Sequence, residues 1–184
     1  MEFAPQTLYH FYNRGNQSQT IFPQKRNYDF FLKKAEKELC PFVDVIAYCL
    51  MPNHFHFLIY THEIFESREL SEGVRILLSS FTRAIQKQEG FTGSLFQQNS
   101  KAKELTDFNY ATTCLHYIHQ NPLKARLVNK LEDWQYSSFF EYWKERKFVN
   151  VELGRSLLDL SADCNLFYKE SYGVINDDLV KKIL

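Results

Sequence analysis

The chain has 184 residues, of which 45% are apolar and 16% aromatic, with 22 basic and 22 acidic side chains. This length fits one domain with an ample core. The balanced charge gives no global basic field of the kind that marks many nucleic-acid-binding proteins, and no segment approaches the roughly 20 apolar residues that span a bilayer. We therefore expect no membrane association.

The beginning of the chain and its cysteines indicate a cellular compartment. The first fifteen residues lack the basic-then-apolar layout of a signal peptide. The cysteines are widely spread and form no CxxC pair, which is typical of reduced thiols rather than of a disulfide framework or a zinc knuckle. They are Cys40, Cys49, Cys114 and Cys164. These features predict a cytoplasmic protein.

The first half of the chain alternates apolar strands with amphipathic helices. Residues 7–13 predict a strand, and residues 25–39 a helix with apolar side chains every three or four positions. Residues 42–50 and 54–60 are rich in β-branched and aromatic types and predict a hairpin around the turn Met51-Pro52-Asn53. Residues 69–88 predict a long helix, and 94–97 a short strand.

The second half is mainly helical. Residues 105–120 predict a helix that Thr106 or Asp107 caps at its start. Asn121-Pro122 is expected to close this helix, because a proline disfavours helical geometry in the residue before it. Helical patterns recur near 152–160, 163–172 and 176–184. Because the elements lack the regular βαβ rhythm of a doubly wound sheet, they favour an α+β fold with a central antiparallel β-sheet flanked by helices.

Two histidines stand one residue apart on the second hairpin strand. Side chains alternate between the faces of a strand, so His54 and His56 point to one face and Phe55 and Phe57 to the other. Two imidazoles at this spacing can hold a divalent ion. A bare HxH pair on a sheet surface is also common without any metal, so the spacing by itself leaves both interpretations open.

The surroundings of this pair resemble a known signature. Residues 48–59, YCLMPNHFHFLI, resemble the YCLMPNHxHxLI motif of the IS200-like transposases. Further blocks agree in the expected order over residues 8–143: Arg14-Gly15-Asn16 with Ile21-Phe22, residues 28–32, residues 93–97, HYIHQNPLKARLV at 116–128 and WQYSS at 134–138. The chain therefore resembles the IS200-like and REP-associated tyrosine transposases, the single-tyrosine (Y1) branch of the HUH endonucleases.

The resemblance has two departures and implies a domain plan. Arg126 stands where the family usually has glycine, and residues 98–101 replace a segment that is usually basic. The family fold is an HUH endonuclease domain, a ferredoxin-like or RRM-like sandwich. We expect it over residues 1–145, with residues 146–184 as a C-terminal helical extension packed on the same domain.

A tyrosine on the helix at 105–120 supplies the expected chemistry. Tyr117 and Asn121 are four residues apart and so share one helical face. A Mg²⁺ or Mn²⁺ ion held by His54, His56 and Asn121 would polarise a phosphate for attack by the Tyr117 hydroxyl. The products would be a 5′-phosphotyrosine and a free 3′-OH. The resemblance implies the same assignments, because the nucleophile of the family aligns with Tyr117 and its third metal ligand with Asn121.

The expected partner is single-stranded DNA carrying a hairpin. Selectivity would come from hairpin shape and from unpaired bases stacked on aromatic rings. The candidates for phosphate contacts are Arg14, Lys101, Lys103, Lys124 and Arg126. Two alternatives stay open: a regulator derived from such a transposase that binds hairpin DNA or RNA without cutting, and a phosphohydrolase acting on small molecules. The resemblance also leaves monomer and homodimer open.

Overall fold

The computed structural model describes residues 1–144, 148–175 and 178–179. The predicted boundary between residues 145 and 146 lies outside the described residues, as does most of the helix predicted near 176–184, so the domain division stays a prediction. Within the described ranges, no helix has the length and apolar character needed to cross a membrane.

Four antiparallel strands form one sheet. They are Leu8–Arg14 (β1), Val43–Met51 (β2), His54–Thr61 (β3) and Lys101–Glu104 (β4), in the spatial order β2-β3-β1-β4. The helix Lys25–Leu39 (α1) connects β1 to β2, and Ser67–Glu89 (α2) connects β3 to β4. This βαββαβ order is the ferredoxin-like motif. The predicted α+β fold with a central antiparallel sheet is thereby confirmed.

One face of the sheet carries a core of phenylalanines beneath α1 and α2. Phe11, Phe55 and Phe57 alternate with polar positions on β1 and β3 and are fully buried. From α1, the Phe31 ring lies 5.1 Å from that of Phe55, and from α2 the Phe81 ring lies 4.9 Å from Phe31. These aromatic contacts fix the two helices to the sheet and leave the opposite face for other elements.

The opposite face is covered by the helix Phe108–Lys124 (α3), which packs on β2 and β3. Asp107 caps its start by accepting a hydrogen bond from the Tyr110 N–H. The helices Phe139–Trp143 (α4), Val151–Leu158 (α5) and Cys164–Ser171 (α6) follow, and α5 and α6 both contact α3. Short 3₁₀ turns lie at Asn16–Ser18 and Leu131–Asp133.

The fourth strand is not where the sequence predicted it. Residues 94–97 contribute only an isolated bridge between Phe96 and Gly15, and the strand that pairs with β1 is Lys101–Glu104. Leu95 and Phe96 are apolar because they fill the core. The real strand is a short edge strand with charged side chains, a common way of protecting a sheet edge and a weak signal in sequence.

The predicted end of α3 is also wrong, because Pro122 lies inside the helix. The helix continues to Lys124 and is capped by Ala125, and the next residue, Arg126, adopts a left-handed conformation with φ of 56°. The Arg126 N–H donates to the Leu123 carbonyl, and the Leu127 N–H donates to the Pro122 carbonyl. This pair of bonds is a Schellman motif, in which glycine is the preferred left-handed residue.

Replacing Arg126 by glycine is therefore expected to stabilise the protein by about 1 kcal/mol, because a side chain costs energy in this conformation. Arg126→Ala is the matched control, since it removes the same charge but keeps the Cβ atom. Urea denaturation of the three proteins measures the difference in the free energy of unfolding. Equal stability of the alanine and glycine variants would show that the left-handed conformation carries no cost.

Candidate active site

Backbone hydrogen bonds hold the turn that precedes His54. The Pro52 carbonyl accepts from the Ile21 N–H at 2.8 Å and from the Phe22 N–H at 3.2 Å. The Asn53 carbonyl accepts from the Gly15 N–H at 2.7 Å. The chain segment after β1 is thus bound to the start of β3, and the first histidine occupies a fixed position.

Gly15 allows this close approach. A Cβ atom at this position would lie 2.1 Å from the Gln19 carbonyl oxygen, a distance at which the backbone would have to move. Next to it, the Asn16 N–H donates to the Leu95 carbonyl, and the Gln97 N–H donates to the Arg14 carbonyl. The glycine of the RGN block therefore lets three distant segments meet beside the histidines.

Strand register places basic and aromatic groups beside the histidine pair. His56 lies opposite Tyr12, which in turn lies opposite Lys101 on β4. His54 lies opposite Arg14. Because directly opposite residues of an antiparallel pair share a face, all five side chains emerge on the face covered by α3.

From α3, Tyr117 reaches the histidines. Its ring makes an edge-on contact with the His56 ring, with centroids 5.7 Å apart, and the side chain is 7% exposed. One turn later, the Asn121 side-chain amide donates to the Tyr117 carbonyl at 2.9 Å. The Asn121 side chain also faces the His54 ring and raises its pKa, against the lowering by burial. At the end of the helix, the Lys124 ammonium lies 5.4 Å from the centre of the Tyr117 ring.

A cavity of about 380 Å³ lies beside Tyr117 and the two histidines. Its lining residues are Tyr12, Asn13, Arg14, His54, His56, Gln97, Gln98, Asn99, Lys101 and Tyr117. Among the described residues that line it, Arg14 and Lys101 are cationic and none carries a carboxylate. A cleft with this charge attracts an anionic group such as a phosphodiester, whatever the neutral charge of the whole chain.

The histidine rings present nitrogen lone pairs that suit a cation. The His54 Nδ1 lies 2.7 Å from the side-chain oxygen of Asn53. The side-chain nitrogen of Asn53 donates to the Ser18 carbonyl at 3.4 Å. Because the Asn53 side-chain oxygen only accepts, His54 carries its proton on Nδ1 and its lone pair on Nε2. The His54 and His56 rings are 5.1 Å apart. With the Asn121 amide oxygen, they form a donor set that fits a divalent metal.

This set differs from a carboxylate- or thiolate-based site. In the part of the chain that the structure describes, no three side chains among His, Cys, Asp and Glu are grouped so as to hold a metal. The site proposed from the sequence contains only two such residues, and its third member is an amide. Among the described residues, a metal at this site would therefore be held by His54, His56 and the Asn121 amide.

Burial controls protonation in the site. It lowers the pKa of His54, although the hydrogen bond to Asn121 works in the opposite direction. It lowers the pKa of His56 well below the usual value. Burial also raises the pKa of Tyr117 to about 12, against a smaller lowering by its hydrogen bond with Asn121. At neutral pH both imidazoles are thus uncharged, as a metal ligand must be, and the phenol keeps its proton.

Acid is expected to destabilise the metal-free protein. Burial lowers the pKa of His54, His56 and His119, and lowers that of His116 to about 4. Below about pH 6.5 these histidines bind protons in the unfolded chain but stay neutral in the folded protein. The free energy of unfolding that is present above that pH is therefore lost as pH falls. The expected loss is about 1.4 kcal/mol per pH unit for each histidine.

Urea denaturation at pH 7.5, 6.0 and 5.0 measures this acid sensitivity. His119 hydrogen-bonds the Ser138 hydroxyl away from the cavity, and His119→Leu removes one of these four imidazoles. The pH dependence of that variant should be weaker by about one histidine's share. A profile that is flat between pH 7.5 and 5.0 would contradict the predicted protonation states.

The predicted basic residues are placed differently. Arg14 and Lys101 line the cavity, and Lys124 lies over the ring of Tyr117. Lys103 lines a separate recess two residues further along β4, together with Asp107. Arg126 is exposed beyond the end of α3. The structure thus places two of the five in the cavity lining and a third, Lys124, over the tyrosine ring, and it places Lys103 and Arg126 elsewhere.

Sequence reasoning missed part of the site. His10 is fully buried, and its Nε2 lies 2.9 Å from the His56 Nδ1. Tyr12 and the segment 97–99 line the cavity. The alternation of His10, Tyr12 and Arg14 on one face of β1 was the available signal, but only the pairing of β1 with β3 connects it to the histidine motif.

A ferredoxin-like sheet with two histidines on a central strand, facing a tyrosine on a covering helix, is the arrangement that the resemblance to single-tyrosine transposases implied. No family model matches the chain. A REP-associated tyrosine transposase of Haemophilus influenzae is 28% identical over 119 residues, which are 58% of this chain and 66% of that protein. The chain thus spans slightly less than two thirds of this relative.

A solved structure agrees with this sequence match. It is a REP-associated tyrosine transposase bound to a REP hairpin, with a TM-score of 0.57 and 18% sequence identity over 89% of this chain and 90% of that one. At this identity the likeness establishes the fold. The resemblance of the chain to the REP-associated tyrosine transposases is therefore confirmed in sequence and in fold.

Proposed function

We propose that the chain is a metal-dependent single-stranded DNA endonuclease and strand transferase that uses Tyr117 as its nucleophile. The observation that carries this proposal is the contact of the Tyr117 ring with His56, beside a cavity lined by two cationic side chains, Arg14 and Lys101. The likeness to a transposase solved with a REP hairpin supports hairpin-flanked DNA as the substrate class.

The substrate strand would enter as a flexible chain. Tyr117 is 7% exposed and lies at a cavity of about 380 Å³. A phosphodiester of an unpaired strand can bend into such a space, whereas the phosphates of a duplex are held on a rigid cylinder. Arg14 and Lys101 would bind the entering backbone, and Lys124 would lie near the phosphate beside the tyrosine ring.

The proposed chemical step is a transesterification at phosphorus. The Tyr117 oxygen attacks phosphorus, the bond from phosphorus to the 3′ oxygen breaks, and the phenolic proton is transferred to the departing 3′ oxygen. The products are a 5′-phosphotyrosine and a free 3′-OH, and reversal with another 3′-OH joins strands. When bound, Mg²⁺ or Mn²⁺ would supply Lewis-acid polarisation of the phosphate.

The burial of Tyr117 makes activation necessary. Because burial raises the pKa of this phenol to about 12, its nucleophilic form is scarce at neutral pH. The hydrogen bond with Asn121 lowers that pKa, and the Lys124 ammonium over the ring favours a developing negative charge. Asn121 therefore serves two groups of the site, the tyrosine and His54.

The direct test mixes the purified protein with labelled hairpin oligonucleotides from the DNA that flanks its own coding sequence, with Mn²⁺ or with EDTA. A covalent protein–DNA band on a denaturing gel, present with Mn²⁺ and on single strands but absent with EDTA or on the fully paired duplex, is the expected result. Hairpin binding without any adduct would instead support a regulator that does not cut.

A further inference from the structure

His10 lies next to the proposed metal site without belonging to it. It is fully buried on β1, and its Nε2 is 2.9 Å from the Nδ1 of His56. Its ring is nearly parallel to those of His56 and Tyr12, with centroids 5.1 Å and 4.5 Å away. Two aromatic neighbours therefore fix the plane of the His10 ring, and with it the direction of this hydrogen bond.

The hydrogen bond between the two histidines contains one proton. Whether that proton is on His10 or on His56 decides whether the His56 Nε2 can bind a metal. If His10 donates from Nε2, neutral His56 must carry its own proton on Nε2, and that nitrogen cannot bind a cation. If His56 donates from Nδ1, its Nε2 keeps a lone pair directed away from His10. Only the second arrangement makes His56 a ligand through Nε2.

The neighbouring histidine follows the same pattern. His54 donates from Nδ1 to the Asn53 side-chain oxygen, which leaves its Nε2 for the site. A metal-binding histidine commonly has its second nitrogen bonded to an acceptor that fixes the ring and its tautomer. In His54 the acceptor is an amide oxygen, and for His56 the corresponding partner in the structure is the His10 nitrogen.

We propose that His10 is the positioning residue of the metal site: its Nε2 accepts the Nδ1 proton of His56 and so keeps the His56 Nε2 as a ligand atom. This inference rests on the proposed metal site at His54, His56 and Asn121. His10 itself binds neither metal nor DNA, and it acts only through His56.

Metal affinity tests the proposal without reference to DNA cleavage. Mn²⁺ binding to the full chain is measured by isothermal titration calorimetry and by the EPR signal of free Mn²⁺. His10→Leu removes the acceptor and should weaken Mn²⁺ binding by about 10- to 100-fold. His10→Gln should restore most of the affinity, because its amide oxygen reaches about the position of Nε2. His10→Asn, whose oxygen ends short of it, should not.

His119→Leu is the matched control, since it also removes a fully buried imidazole with a hydrogen-bond partner, but away from the cavity. It should bind Mn²⁺ like the wild-type protein. If His10→Leu does not fold, as judged by circular dichroism, the comparison of the glutamine and asparagine variants carries the test. Equal affinity in those two variants, or wild-type affinity in a folded His10→Leu, would overturn the proposal.

The proton position is also directly observable. Long-range ¹H–¹⁵N NMR spectra of the metal-free protein distinguish the two tautomers of each histidine. We expect a proton on Nδ1 of both His10 and His56, with the His10 signals assigned by their loss in His10→Gln. A proton on Nε2 of His56 would overturn this inference alone. Failure of the wild-type protein to bind Mn²⁺ at all would instead contradict the proposed function.

Discussion

Replacing Tyr117 by phenylalanine is expected to reduce formation of the covalent protein–DNA adduct by at least about 10³-fold. DNA binding should be retained. The change removes only the nucleophilic oxygen. The ring, its contact with His56 and its neighbour Lys124 stay in place, so the fold and the cavity should persist. Denaturing gels measure the adduct, and fluorescence anisotropy with the same hairpin measures binding.

Tyr12 provides the decisive comparison, because it is the other tyrosine that lines the cavity. It lies opposite His56 on β1 and stacks on His10, so its hydroxyl is the competing nucleophile. We expect Tyr12→Phe to form the adduct. An adduct that disappears in Tyr12→Phe and survives in Tyr117→Phe would transfer the nucleophilic role to β1.

Replacing His54 by alanine is expected to weaken both Mn²⁺ binding and adduct formation by more than about 100-fold, since a direct ligand should matter at least as much as the groups that orient one. His54 is the better choice for this test than His56, because it is only partly buried and the loss of its ring perturbs the core less. Calorimetry with Mn²⁺ and the gel assay measure the two effects separately.

His62 is the matched control for this change. It comes directly after β3, at the end of the strand opposite to His54, and it lies beside Asp44. His62→Ala should bind Mn²⁺ and form adduct like the wild-type protein. Because His54 lines the cavity, added imidazole should partly restore metal binding to His54→Ala. Unchanged Mn²⁺ affinity in His54→Ala would remove the histidine pair from the metal site.

Most of the fold could be predicted from periodicity. The α1 helix was predicted with the bounds that the structure shows, and the β2–β3 hairpin to within one residue at each end. These elements bury one continuous apolar face, so their pattern is strong. The strand β4 could not be predicted, because its side chains are partly or fully exposed and its pairing with β1 is set by backbone contacts rather than by apolar alternation.

The residues of the candidate site could be predicted where they fall in a sequence motif, and the others could not. His54, His56, Tyr117 and Asn121 come from two blocks that resemble a family, and the structure brings all four together, although their roles stay predictions. Pro122 misled the prediction for α3, because the helix runs on through the proline to Lys124, although the proline supplies no backbone N–H. His10 depends on strand pairing between residues 46 positions apart, which local pattern does not encode.

The backbone bonds around Gly15 have a consequence for the order in which the candidate site is assembled during folding. They join residue 15 to residue 53 and residue 16 to residue 95. The strand β4 and the helix α3, which carries Tyr117, lie still later in the chain. Contacts of such high sequence separation form late, after the entropy of closing long loops has been overcome. A nascent or truncated chain that ends near residue 90 would contain both histidines and their partner strand β1, but it would lack Leu95, β4 and the helix that carries Tyr117. On the proposed mechanism, such a chain would lack the nucleophile, so we expect DNA cleavage only after the helix with Tyr117 has been made and has packed on the sheet.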